Sequence, residues 1–495
     1  MANSNTKKLT LALAALLLAQ TAAVTACSEK KETIQTSSPD TVAESSADTE
    51  EDMDSLEARK LVSDNLPDTK FDGMKFTVIS SDDAKDDFYA EEESGILTND
   101  IIWKRNSAIR DRFDINLIAE NAPYVDVTTK VNNAVNADDD VYQLVNEHMI
   151  QAGLMAANHT FIDLTQLEYL DFERPWWNQS AFENLSVGGK TYLMAGSLSP
   201  YFLTHHYCVF MNKKLGQDYQ LTDTIYDTVL NGEFTIDYYM NQIRNTWRDL
   251  DGDSKPSDKD YYGLAAQVSS YSTPFIYSFG ETTVGKNEEG MPVLRMNQQK
   301  FADMVEKIYD LFYGINGTIT TDGWELHKTT FNASRALFYD GVFEDSYIAF
   351  KELSDDYCIL PYPKWDTDQK EYYTTTDGSS PLTSVPITVR DTEFVSIITE
   401  ALCAESWKTA IPKYYDLILK TRGVRDETSV KIIDMIEKGA VLDFGFVYGN
   451  YSGMGFTMSN LMLTKNKNFA SYFAQNSKKW EQHIEEIVKA YTSED

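Results

Sequence analysis

The chain has 495 residues and a formal net charge of −33, with 42% hydrophobic and 12% aromatic residues. A surface that acidic repels phosphate backbones and anionic lipid headgroups, which argues against nucleic acid and against electrostatic membrane docking. The aromatic content supports a large buried core, and the length exceeds what one core organises, so two domains are expected.

The first address is at the N-terminus. Lys7 and Lys8 precede an apolar run from Leu9 to Ala19, long enough for the core of a signal peptide and too short for a membrane span. Val24-Thr25-Ala26-Cys27 resembles the lipobox of bacterial lipoproteins, which implies cleavage before Cys27 and acylation of its sulfur. Residues 1–26 are therefore read as a signal peptide, and their loss removes two lysines and takes the charge to −35. Residues 27–67, rich in Ser, Thr, Glu and Asp, hold too little apolar surface to fold and read as a disordered tether. The expected location is the outer face of the cytoplasmic membrane, with Cys27 as the only attachment. Cys208, Cys358 and Cys403 remain, an odd number without CxxC spacing, and read as small buried residues, one disulfide being the alternative.

Along the body, strand and helix signals alternate. Lys75-Phe76-Thr77-Val78-Ile79 has period two and ends at Ser80-Ser81-Asp82-Asp83. Thr98 or Asn99 can cap a helix with an inner stripe of Ile102, Ile109 and Phe113, after which Ile115 and Leu117 alternate as a second strand. Strand, helix and strand at this spacing make a βαβ unit with parallel strands. A third strand is expected over Val141–Val145, a helix over Thr235–Leu250, and another over Phe301–Phe312 stopped by Gly314. The fold class is α/β. In such lobes ligands sit beyond the carboxyl ends of parallel strands, and between two lobes the cleft is the natural site.

An ordered series of segments resembles the family 1 (sugar-binding) class of bacterial extracellular solute-binding proteins. The series begins with Pro175-Trp176-Trp177-Asn178-Gln179, Leu185-Ser186-Val187-Gly188-Gly189-Lys190-Thr191-Tyr192 and Val209-Phe210-Met211-Asn212-Lys213-Lys214-Leu215. It continues with Phe234-Thr235-Ile236-Asp237, the stretch from Asp251 to Pro256, Tyr262-Gly263-Leu264-Ala265, and Leu360-Pro361-Tyr362-Pro363-Lys364. The resemblance implies a two-lobed periplasmic-binding-protein-like fold (type II) with a hinge crossed about three times, near Met194–Ser199, Thr374–Ser380 and Gly439–Val447. It implies residues 68–195 plus 380–438 as the N-lobe and 196–379 plus 439–495 as the C-lobe. It also implies a monomer that captures a carbohydrate and hands it to the permease subunits of an ABC transporter, without enzymatic activity. A binding protein for a non-sugar solute is an alternative.

Sugar chemistry selects the candidate residues: ring faces stack on aromatics, and hydroxyls pair with carboxylates and amides. The loops carry Trp176, Trp177, Tyr201, Tyr271, Phe275, Trp324, Trp365, Phe444 and Tyr448, of which Tyr271 and Trp324 are the preferred platforms. Packing is at least as good a reading for Trp176 and Trp177. Ser81 and Asp82 end the first strand, Glu147 and His148 follow the third, and Asp377 lies on the inferred second crossing. Asp249, Asp251, Asp253 and Asp260 have the spacing of a calcium loop, but Ser254 stands where such loops use glycine. A calcium there would be structural, and no other cofactor is expected.

Enzymatic motifs find little footing. There is no Gly-x-Ser-x-Gly elbow and no His-Glu-x-x-His pair, and Asn184 stands where a phosphate loop ending in Gly189-Lys190-Thr191 needs its first glycine. His205-His206 lacks a third ligand at metal spacing and reads as a loop or partly buried pair. A lipid-anchored glycoside hydrolase, with two carboxylates in an aromatic cleft, is the rival from another class.

Overall fold

The period-two run at Lys75–Ile79 becomes an inner strand of a mixed sheet, parallel to both of its neighbours. In the computed structural model, which describes residues 56–323, 325–351, 353–419, 427–449 and 452–492, the strands are β1 (Met74–Ser81), β2 (Ile115–Ala122), β3 (Leu144–His148), β4 (Tyr207–Asn212), β5 (Tyr262–Gln267), β6 (Val284–Lys286), β7 (Pro292–Leu294), β8 (Thr318–Thr321), β9 (Ala336–Val342), β10 (Tyr357–Leu360) and β11 (Pro381–Ser384). Cys27 and Trp324 lie outside the described residues.

The first sheet has the order β11-β3-β1-β2. β1 runs parallel to β2, with Phe76 beside Leu117, and parallel to β3, with Val78 beside Leu144. β11 runs antiparallel to β3. The helix joining β1 to β2 spans Leu97–Phe113 and buries Ile102, Ile109 and Phe113, the stripe its periodicity marks. Its expected cap is not made: no side chain caps it, Asn99 donates instead to the Glu92 carbonyl at 2.8 Å, and Asp100 accepts from Ser94 N. Helix Thr392–Glu405 covers the same core, where Phe394 packs edge-on against Phe76.

The second sheet has the order β10-β4-β9-β5-β8, with β5 parallel to β8 and β9, and β4 antiparallel to β9 and β10. Two helices on this side differ from their sequence pattern. Thr235 caps as expected, accepting from Tyr238 N, but the helix covers only Ile236–Ile243. It stops at Arg244, whose ψ is 127°, and Asp260 then holds Trp247 and Leu250 in the following loop. The other helix runs Gln298–Tyr309 from an Asn297 cap and widens into a π-turn over Asp310–Gly314.

The chain passes between the sheets after β3, after β10, and again between helix Thr392–Glu405 and helix Glu427–Lys438. The last helix packs on β10, so it lies with the second sheet and not, as the 380–438 boundary has it, with the first. At the crossings, Tyr207 N donates to Thr375 O at 3.0 Å, Asp377 N to His205 O at 3.0 Å, and Val441 N to Thr374 O at 2.8 Å. Helix Met149–Ala157, beyond β3, meets the turn Phe444–Val447 so closely that a Cβ on Gly153 would sit 2.4 Å from the Val447 carbonyl oxygen. Among the described residues, no helix is long and apolar enough to cross a membrane.

Candidate functional site

The carboxyl ends of β1, β3, β5 and β9 converge on one cavity of about 420 Å³. From the first sheet come Asp83, just past β1, and His148, the last residue of β3. From the second come Ser269–Tyr271 beyond β5, Lys328, and Glu344 and Asp345 beyond β9. The crossings contribute Tyr201, His205, Tyr207 and Asp377–Ser379. Parallel strands leave their carboxyl ends free of side-chain cover, and a second half facing them closes the space.

The walls offer ring faces and carboxylates. Tyr201 and His205 stack at 3.6 Å between centroids, and the Tyr201 hydroxyl lies 3.1 Å from Ser379 Oγ. Tyr207 meets Tyr271 edge-on at 5.4 Å. Asp377 accepts from the Tyr207 hydroxyl and from Ser379 N and Oγ, at 2.9 and 2.6 Å for the latter two. Burial alone would raise its pKa, but these hydrogen bonds hold the carboxyl below the usual range. His205 Nε2 is 3.5 Å from Glu344, and Lys328 Nζ is 3.0 Å from Asp345.

Of the residues proposed from sequence, His148, Tyr201, Tyr271 and Asp377 line this cavity. Glu147 sits directly behind it: Oε1 accepts from His148 N at 2.7 Å, while Oε2 is buried with no partner. Burial pushes its carboxyl up to about 9. Ser81 is buried and Asp82 exposed, and neither lines the cavity; a 3₁₀ turn over Asp82–Asp87 brings Asp83 to it instead. Phe275, Trp365, Phe444 and Tyr448 are packing residues. Phe275 lies against Tyr362 at 5.0 Å, Trp365 under Lys300 at 3.8 Å, and Phe444 stacks on Tyr448 at 4.4 Å.

Trp176 and Trp177 donate their indole N–H groups to the two oxygens of Glu400, at 2.8 and 2.9 Å. They line a second cavity of about 440 Å³ with Trp407, Glu437 and Lys438. Among the described residues no strand's carboxyl end lines that cavity, so strand topology singles out the first one as the candidate ligand site. Sequence reasoning missed Glu344, Lys328 and the roles of His205 and Tyr207. The signal for Glu344 was weak: Ala336–Val342 carries Leu337, Phe338, Tyr339 and Val342 but is interrupted by Asp340-Gly341, and Phe343-Glu344-Asp345 follows its end.

The acidic loop is only partly a cluster. Asp249, Asp251 and Asp253 place carboxylate oxygens within 4.8 Å of one another. Ser254 takes the left-handed conformation, φ 61°, that a glycine would favour there. Asp260 is not with them: its oxygens accept from Leu250 N, Ser257 N and Trp247 Nε1, which corrects its assignment as a fourth ligand. The three other carboxylates also bind loop amides, as in Asp249 with Gly252 and Ser254. Cys208, Cys358 and Cys403 are buried, and among the described residues none is in a disulfide.

This fold, two α/β sheets joined by crossing segments with a cleft between them, is that of the substrate-binding proteins of ABC transporters. The chain is similar to the GacH receptor of Streptomyces glaucescens, solved with acarbose, at 11% identity and a TM-score of 0.51 over 83% of this chain and 99% of that one. It is also similar to UgpB from Mycobacterium tuberculosis, solved with glycerophosphocholine, at 12% identity and a TM-score of 0.53 over 83% of this chain and 98% of that one. A third is Lmo0181 from Listeria monocytogenes, an ABC substrate-binding protein solved with cycloalternan, at 11% identity, a TM-score of 0.52, and 83% and 99% coverage. No family model and no curated protein sequence matches the chain.

Proposed function

We propose that this protein is a lipid-anchored extracellular receptor that captures a carbohydrate in the cleft and delivers it to an ABC transporter permease. The observation that carries the reading is the convergence of strand ends from both sheets on one cavity whose walls alternate ring faces and carboxylates. The acarbose and cycloalternan complexes of the similar proteins support a saccharide, and the glycerophosphocholine complex keeps a non-sugar solute as the second reading. Ligand bound to one half draws the other over it, and the closed form is favoured by the ligand's differential affinity for the two states. Anchoring rests on Cys27 in the lipobox-like Val24-Thr25-Ala26-Cys27. The permease would read the closed shape, with the protein acting as a monomer.

A thermal-shift screen against mono- and oligosaccharides tests the reading, since a ligand at a hundred times its Kd stabilises the fold by about 2.7 kcal/mol. The expected result is a shift with a saccharide recovered unchanged. Turnover of a chromogenic glycoside would make it a hydrolase instead, and a shift with glycerophosphodiesters alone would make the solute a non-sugar.

A further inference from the structure

The charges lining the cleft do not balance. Among the described residues four carboxylates, Asp83, Glu344, Asp345 and Asp377, face it against one ammonium, Lys328, and no arginine stands in the wall. Lys328 is already committed to Asp345 at 3.0 Å, and the other Asp345 oxygen accepts from the Tyr339 hydroxyl and Val342 N. Asp377 is satisfied by neutral donors only, the Tyr207 hydroxyl and Ser379. Glu344 meets only the His205 ring, at 3.5 Å, and Asp83 has no hydrogen bond or ion pair among the described residues. Three carboxylates therefore face a space walled by Tyr201, Tyr207 and Tyr271 without a lysine or arginine partner.

We propose that this cleft selects a saccharide that carries a protonated amine and rejects uronates and sugar phosphates; the inference rests on the saccharide-receptor reading above. A sugar hydroxyl can donate to a carboxylate, but an ammonium adds a full opposite charge to the bond, and that Coulomb attraction grows where the cleft walls lower the dielectric. Tyrosine faces attract the same cation. A sugar acid adds a fifth negative charge in a space where low-dielectric walls weaken screening. Among the described residues of the wall it finds no arginine, and the one lysine is already held by Asp345.

Calorimetric titration of the full chain at pH 6.5 with matched mono- to tetrasaccharides of glucosamine, glucose and galacturonate tests the proposal. The glucosamine series should bind at least tenfold more tightly than the glucose series, and the galacturonate series should not bind. Asp83 is exposed, so Asp83→Asn keeps the fold, and with Glu344→Gln it should lower the glucosamine-to-glucose affinity ratio severalfold. Equal affinities for glucosamine and glucose, binding of galacturonate, or a ratio unmoved by both variants would overturn the proposal while leaving a saccharide receptor. Failure of all three series to bind would remove the saccharide reading and the proposal with it.

Discussion

Glu147 ties the cleft to the stability of the fold through pH. Its side chain is fully buried at the end of β3, with one oxygen on His148 N and the other unpartnered, and burial raises its pKa from 4.5 to about 9. A carboxyl raised on folding holds its proton in the native state after the unfolded chain has lost its own. Its contribution is therefore undiminished below pH 4.5 and is lost progressively as pH rises from 4.5 through about 9. Each unit in that window removes up to about 1.4 kcal/mol, so by pH 7 the single group costs about 3 kcal/mol relative to acid conditions. Glu147→Gln resembles the protonated form and has no proton to lose. Urea denaturation from pH 5 to 8.5 on both proteins isolates the group, because Asp87, Asp340 and Glu400, raised to about 6, 7 and 7, slope both curves alike. The difference between the curves should grow in favour of the glutamine variant as pH rises. Parallel curves would refute a neutral buried Glu147.

The remaining predictions concern packing and the acidic loop. Glu400→Ala orphans Trp176 Nε1, Trp177 Nε1 and Asp171 N, and at about 1–3 kcal/mol per stranded donor it should lose about 3 kcal/mol or more in chemical denaturation. A near-neutral variant would show that water replaces the carboxylate. Gly153→Val puts a side chain against the Val447 carbonyl and should lose about 1–3 kcal/mol by overpacking, read as a lowered Tm. Chelation should leave solute affinity unchanged, since the Asp249–Asp253 cluster is not part of the cleft wall. A tenfold loss with the fold intact, about 1.4 kcal/mol, would contradict that.

Local periodicity carried the βαβ unit and the helix stripe of Ile102, Ile109 and Phe113, because one-sided burial imposes those patterns on the residues themselves. The helix expected over Thr235–Leu250 ran long because Asp260, ten residues beyond Leu250, recruits Trp247 and Leu250 into a loop, and no local pattern announces that pairing. The cavity wall was legible where a residue lay past an identified strand or on an inferred crossing, as with His148 and Asp377, whereas Tyr271 was named for its ring alone. Asp82 was one residue short, because the 3₁₀ turn after β1 sends Asp83 inward. Packing was at least as good a reading as stacking for Trp176 and Trp177, but their partner Glu400 is more than two hundred residues away. Such a contact belongs to the tertiary fold alone.

The central claim is a cleft that closes over a saccharide and releases it unchanged. Small-angle scattering with and without the tightest saccharide from the screen, followed by mass analysis of the recovered ligand, tests it most directly. A closing receptor gives a smaller radius of gyration on saturation and an intact ligand; an unchanged radius at full occupancy would mean that the cleft does not close, and a cleaved product that the protein is a hydrolase.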